Sequence, residues 1–327
     1  MAVIEAQHLG KIYGSKPAVV DLSFQVLPGS VTGFLGPNGS GKSTTMRLML
    51  GLDKGQGRTT FDGRTFSQLK HPMREVGALL EAKPFHPTRK ARNHLRMLAA
   101  ANGIRRSRVD EVLAMVGLES VAGGKPRKFS LGMGQRLGIA AALLGDPHTL
   151  ILDEPSNGLD PQGITWLRTL LKDIAGQGRS VFVSSHLLQE MAMLADQLVV
   201  IGRGVMLANG PVSDFTRGSA RAGVVIRTPD IATLGPALAA IGGYVAAEPD
   251  GSYAVKRLSA EQVGDAAHEH GARLHQLLTR EATLEEAFLD ATGTSQEFIG
   301  SGPPPMERAW PAPNQAPGQP PTHGVPW

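Results

Sequence analysis

The 327-residue chain has no cysteine, which excludes disulfides, thiolate catalysis and cysteine-held metal centres and fits a reducing compartment. It also lacks any run of about eighteen apolar residues that could span a bilayer, and its first residues, MAVIEAQHLGK, contain no apolar signal core. A cytoplasmic chain is expected, unless another protein holds it at a membrane. A strong charge of one sign is missing too: 33 basic against 29 acidic side chains leave a formal +4. The bases are dispersed, so neither composition nor patterning calls for nucleic acid as a partner. Arg105, Arg106 and Arg108 read as a solvated helix start.

What is present is a hydrophobic content of 41%, enough for a proper core in one large domain plus something smaller. From Ala2 to about Arg217, short apolar runs alternate with helix-length segments. VTGFLG (31–36), TLILDE (149–154), VFVSS (181–185) and QLVVIG (197–202) are continuous apolar runs, as in parallel strands covered on both faces. Leu22, Phe24 and Val26 alternate instead, which suggests a half-exposed antiparallel strand. A helix is predicted over 161–175, with Asp160 as its cap, Pro161 at its first position, an Ile164, Leu167, Leu171, Ile174 stripe, and Gly176 at its end. The class is α/β with a mixed sheet.

Over 219–292 the pattern changes to short strands between short helices, the last helix opened by a capping box from Thr283 to Glu286. A small C-terminal α+β domain is expected there. From 297 to 327 the chain carries nine prolines after Ser301 and little to bury, so a disordered tail is expected.

GPNGSGKS, Gly36 to Ser43, matches the full phosphate-loop pattern between a predicted strand and a predicted helix. Its glycines let backbone N–H groups converge on phosphates, Lys42 reaches the β and γ oxygens, Ser43 ligates Mg²⁺, and the helix adds its positive end. LILDEP, Leu150 to Pro155, is an apolar strand ending in two carboxylates at the end where open α/β sheets bind ligands. Asp153 is expected to hold Mg²⁺ through water and Glu154 to act as general base on the attacking water. His186 follows a third buried strand, where a neutral imidazole could hydrogen-bond the γ-phosphate; a lone histidine is otherwise usually structural. A second helix start with anion-binding composition lies in KFSLGMGQRL, Lys128 to Leu137.

In order, GPNGSGKST, FSLGMGQR, LILDEP, NGLD and SSH resemble the P-loop, signature, Walker B, D-loop and H-loop of the ATP-binding-cassette ATPases, over roughly 1–217. The resemblance implies a P-loop NTPase cassette with a helical signature subdomain, binding ATP and Mg²⁺. It further implies a head-to-tail homodimer in which each ATP lies between the P-loop of one subunit, Gly36-Pro37-Asn38-Gly39-Ser40-Gly41-Lys42-Ser43-Thr44, and the signature of the other. Ser130, Gly132 and Met133 would then serve the neighbour's nucleotide, and Asp160 would cross the interface. Tyr13 sits where the family places an aromatic on adenine. The usual L-S-G-G-Q is here Phe129-Ser130-Leu131-Gly132-Met133, keeping the serine and one glycine. Where many cassettes have glutamine this chain has Glu81, whose carboxylate can still ligate Mg²⁺ or its water.

With Glu81, FSLGMGQRLGIA and EATLEEAFLDATG also resemble the drug-resistance branch of bacterial exporters, including the bacitracin and lantibiotic self-protection type. An ATPase subunit is implied, on the cytoplasmic face of a bacterial membrane and working through a separate permease. The alternative is a soluble cassette ATPase acting on ribosomes or DNA. Such members usually carry two cassettes or a long inserted coiled coil, whereas this chain has one uninterrupted cassette.

Overall fold

The computed structural model describes residues 3–81, 85–86, 88–217 and 222–292; the tail expected from 297 lies outside them. The antiparallel strands β1 (Ile4–Tyr13) and β2 (Lys16–Val26) come first, then β3 (Val31–Leu35) and α1 (Lys42–Met49). β4 (Gln56–Phe61) returns to β1, giving a three-stranded sheet ordered β2-β1-β4. The short α2 (Pro72–Glu75) leads to β5 (Val76–Leu79), and three helices follow: α3 (Ala91–Ala101), α4 (Ser107–Met115) and α5 (Leu131–Leu143). Next come β6 (Thr149–Leu152), α6 (Pro161–Gly176), β7 (Ser180–Ser185) and α7 (Leu188–Leu194). β8 (Gln197–Gly202), β9 (Val205–Pro211) and α8 (Val212–Arg217) complete this part.

A six-stranded sheet, ordered β5-β6-β7-β3-β8-β9, is parallel except for β9, which runs antiparallel to β8. Its inner strands are apolar at successive positions because alternate residues enter different cores, whereas the edge strand β9 is only partly buried. Leu150, Leu152, Val181, Val183, Leu198 and Val200 pack with residues of helices α3 to α7. Phe34, Ile151, Phe182 and Val199 pack with α1 and the three-stranded sheet. There the rings of Phe24, Phe34 and Phe182 lie 5.0 to 5.9 Å apart. Leu22, Phe24 and Val26 of β2 alternate inward as expected.

The Asp160 carboxylate caps α6 by accepting from Gly163 N–H, and Leu167, Leu171 and Ile174 are buried along its stripe. Arg108 is not solvated as expected. It is 12% exposed, pairing with Glu111 and Asp146 and donating to the Leu143 carbonyl, so it ties α4 to the end of α5.

β10 (Gly223–Arg227), α9 (Ile231–Ala240), β11 (Tyr244–Ala247), β12 (Tyr253–Lys256), α10 (Ala260–Glu269) and β13 (Gln276–Arg280) form an antiparallel sheet, ordered β11-β12-β10-β13, with two helices over a separate core. The last helix, α11 (Leu284–Thr292), opens with the Thr283–Glu286 capping box. Its Leu284 and Phe288 belong to the same core as Met191 and Leu194 of α7. The span 219–292 therefore contributes its final helix to the larger α/β unit.

Candidate nucleotide site

The sheet order makes β6, β7 and β3 neighbours, so their carboxyl ends deliver Asp153–Glu154, His186 and the 36–43 loop to one place. Gly41 precedes α1 with φ of +106° and no side chain caps the helix, so the first-turn N–H groups stay open to a ligand. A Cβ on Gly41 would lie 2.4 Å from the Ala18 carbonyl oxygen, so conformation and space both require glycine. Lys42 is 7% exposed, and its Nζ donates to the carbonyls of Gly36 (2.7 Å) and Pro37 (3.3 Å). Burial lowers its pKa, against the opposing pull of Glu154 and Asp153. An ammonium beside uncapped N–H groups suits a polyphosphate.

Asn38 and Gly39 form the exposed rim, and Ser43 and Thr44 stand in the first turn. Ser40 is placed differently from a phosphate-facing hydroxyl: it is 3% exposed, its N–H closes a turn on the Pro37 carbonyl, and its Oγ has no hydrogen-bond partner among the described residues.

Asp153 Oδ1 accepts from Ser184 Oγ at 2.5 Å, and the same hydroxyl accepts the Glu154 N–H at 2.9 Å. The Glu154 carbonyl accepts from Gln135 Nε2 at 3.2 Å. Glu154 has φ of +48°, the left-handed region that a residue with a side chain adopts only where its surroundings impose it. Its Oε1 lies 3.9 Å from Lys42 Nζ and its Oε2 lies 2.6 Å from His186 Nδ1. The His186 ring, expected toward phosphate, is thus engaged with the carboxylate. No group of three or more His, Asp or Glu gathers as a metal cage among the described residues. The Ser43 hydroxyl and the Asp153 carboxylate are hard oxygen donors of the kind that Mg²⁺ accepts.

Tyr13 is half exposed, with Lys11 Nζ 4.8 Å above its ring. Its hydroxyl donates to Asp53 Oδ2 at 2.9 Å, and Asp53 in turn accepts two bonds from Arg47 at 3.0 and 3.1 Å. The bond to Asp53, then desolvation, raises the phenol pKa. Glu81 is exposed just beyond β5; after the larger effect of Asp53, its charge helps hold Arg47 protonated.

At the second helix start, Ser130 caps α5 by accepting the Met133 N–H at 3.1 Å. A Cβ on Gly132 would lie 2.7 Å from the Gly158 carbonyl oxygen, so a small residue is needed there within the chain itself. Among the described residues, none of Ser130, Gly132, Met133 or Asp160 hydrogen-bonds to Lys42, Glu154 or His186. Sequence reading missed Gln135, Asp53 and Ser184. Only Ser184 left a signal, a polar pair closing an otherwise apolar strand run.

The family model described as "ABC transporter" matches residues 19–157, and a domain of unknown function, DUF8746, matches 222–285. The bacitracin transport ATP-binding protein BcrA of Bacillus licheniformis is 42% identical over 213 residues, 64% of this chain and 70% of that protein. The lantibiotic transport ATP-binding protein SrtF of Streptococcus pyogenes is 36% identical, over 63% of this chain and 89% of its own. The Nod factor export ATP-binding protein I of Burkholderia orbicola is 32% identical over 91% of this chain and 99% of its own. Among solved structures, an ATP-binding subunit of an ABC transporter superposes with a TM-score of 0.60 at 28% identity, over 66% of this chain and 92% of that one. A dimeric cassette, MJ0796, bound to ADP and Pi shares the fold with a TM-score of 0.59 at 24% identity, over 64% of this chain and 98% of that one. The chain belongs to the ATP-binding-cassette transporter family, as one of its ATP-hydrolysing subunits.

Proposed function

We propose that this ATPase drives export of a drug, peptide antibiotic or lipid-like compound through a separate membrane permease, from the cytoplasmic face of a bacterial membrane. The 42% identity to a bacitracin transport ATP-binding protein carries this reading. The similarity to a Nod factor export protein, which extends through the C-terminal region, supports it. Among the described residues no helix is long and apolar enough to cross a membrane, so a path for cargo would come from a partner.

In this reading Lys42 and the first-turn N–H groups of α1 hold the β and γ phosphates, and the Tyr13 ring stacks on adenine. Glu154 takes a proton from the water that attacks the γ-phosphorus, while His186 keeps its carboxylate in place. Mg²⁺, held by Ser43, by Asp153 through water and by Glu81, would neutralise charge on the phosphate oxygens. Two subunits close head to tail, each ATP lying between one P-loop and the other chain's Ser130 and Gly132.

The test is tolerance of cells carrying this chain to bacitracin-like and lanthionine peptides. Glu154→Gln should abolish the tolerance at unchanged protein level. Equal tolerance of variant and wild type overturns the export reading while leaving the ATPase assignment intact.

A further inference from the structure

We propose that Gln135 is a positioning residue for hydrolysis, tying the start of the signature helix to Glu154 of its own chain. The inference rests on the dimeric ATPase reading above, and the similarity to known proteins assigns Gln135 no role.

Gln135 is 1% exposed on α5, one turn beyond the capped start at Ser130. Its Nε2 donates to the Glu154 carbonyl at 3.2 Å, while its Oε1 is buried without a partner among the described residues. A half-satisfied amide is a poor choice for filling a core, where leucine would occupy the space without the desolvation cost. The single bond it makes among the described residues is therefore the property to explain. That bond falls on the residue held at φ of +48°, whose own N–H is held by Ser184. The backbone of Glu154 is thus held on both sides, and in that conformation its carboxylate reaches Lys42 and His186.

The helix is also a stiff connector. A Cβ on Gly138 would lie 2.6 Å from Leu79 Cδ1, and one on Gly77 would lie 2.2 Å from the Ala142 carbonyl oxygen, so α5 lies directly on β5. Its first turn is more exposed, at Ser130 and Leu131, and touches the rest of the chain at Gly158. A displacement of that turn on meeting the partner's nucleotide would reach Glu154 through Gln135, coupling the two ATP sites within one chain.

Gln135→Met keeps the volume and removes the donor, and Gln135→Leu is a second replacement of the same kind should the first not fold. Turnover number should fall about tenfold or more, as expected when a reacting group is slightly misplaced. KM for ATP should stay within about twofold. A merely structural role would shift the melting temperature and KM together, and that result overturns the proposal.

Mixed dimers test the connectivity. With Gln135→Met and Glu154→Gln on one protomer and a wild-type partner, the partner's site should hydrolyse at full rate. With the two changes on opposite protomers neither site should. Equal rates in the two arrangements, or the reverse order, overturn the own-chain assignment. The wild-type dimer is the control: if it fails to hydrolyse ATP, the ATPase reading falls, and this inference with it. If it is active and the Gln135 variants match it, only the role of Gln135 falls.

Discussion

His186 Nδ1 lies 2.6 Å from Glu154 Oε2, joining the ends of β7 and β6, which are hydrogen-bonded neighbours in the sheet. With Lys42 Nζ 3.9 Å from the other carboxylate oxygen, Glu154, the proposed general base, is held between an ammonium and an imidazole. Glu154→Gln should bind ATP normally and hydrolyse it about a hundredfold or more slowly, since the amide cannot accept the water's proton. His186→Ala should lower turnover less, because the carboxylate remains but is less well oriented. Single-turnover hydrolysis beside nucleotide binding separates the two, and near wild-type turnover in Glu154→Gln removes it as base.

Tyr13 owes its placement to Asp53, which also holds Arg47. Tyr13→Ala should raise KM for ATP by about tenfold, the order expected from losing a base–aromatic stack. Asp53→Ala should raise it a few-fold by freeing the ring, at nearly unchanged turnover number. Unchanged KM in both variants would remove Tyr13 from the adenine site.

Ser130 is a better probe of contact across the dimer than Gly132, where any side chain would meet the Gly158 carbonyl of the same chain. In a Glu154→Gln background, Lys42→Ala and Ser130→Arg homodimers should each occlude little ATP. Mixing them should create occluded ATP, because both lesions then fall in one site and leave the other intact. No gain on mixing, with heterodimers shown to form, would argue that Ser130 acts within its own chain.

Phe288 is 9% exposed in the core shared with Met191 and Leu194. Phe288→Ala should cost about 3–5 kcal/mol of stability in urea denaturation, as large-to-small changes of buried aromatics do. An unshifted transition for the α/β unit would mean that α11 is dispensable to it.

Asp230 accepts two side-chain bonds and one backbone bond from Arg273, and these hold its carboxyl down at about 2. A carboxylate depressed on folding stabilises the folded state above its ordinary pKa of 3.8, and that contribution disappears as pH falls through about 2. The acid unfolding of Asp230→Asn should therefore differ from wild type above about pH 4 and converge with it near pH 2. Parallel curves across that window would show that the pair contributes nothing.

Much of the fold was legible locally. Strands β3, β6, β7 and β8 stand out because a strand covered on both faces must be apolar at successive positions, and α6 because its cap, first-position proline and apolar stripe agree. The phosphate loop is a contiguous motif, since the backbone N–H groups that meet a phosphate come from consecutive residues. Other contacts join residues far apart in sequence and leave no period or spacing to read. Ser184 holds Asp153 from 31 positions away, Gln135 reaches Glu154 across 19, and Asp53 anchors Tyr13 across 40. The Thr283–Glu286 capping box marked where α11 begins but not the surface that buries it. Burial is non-directional, so only the packed chain decided that Leu284 and Phe288 join the core of the α/β unit.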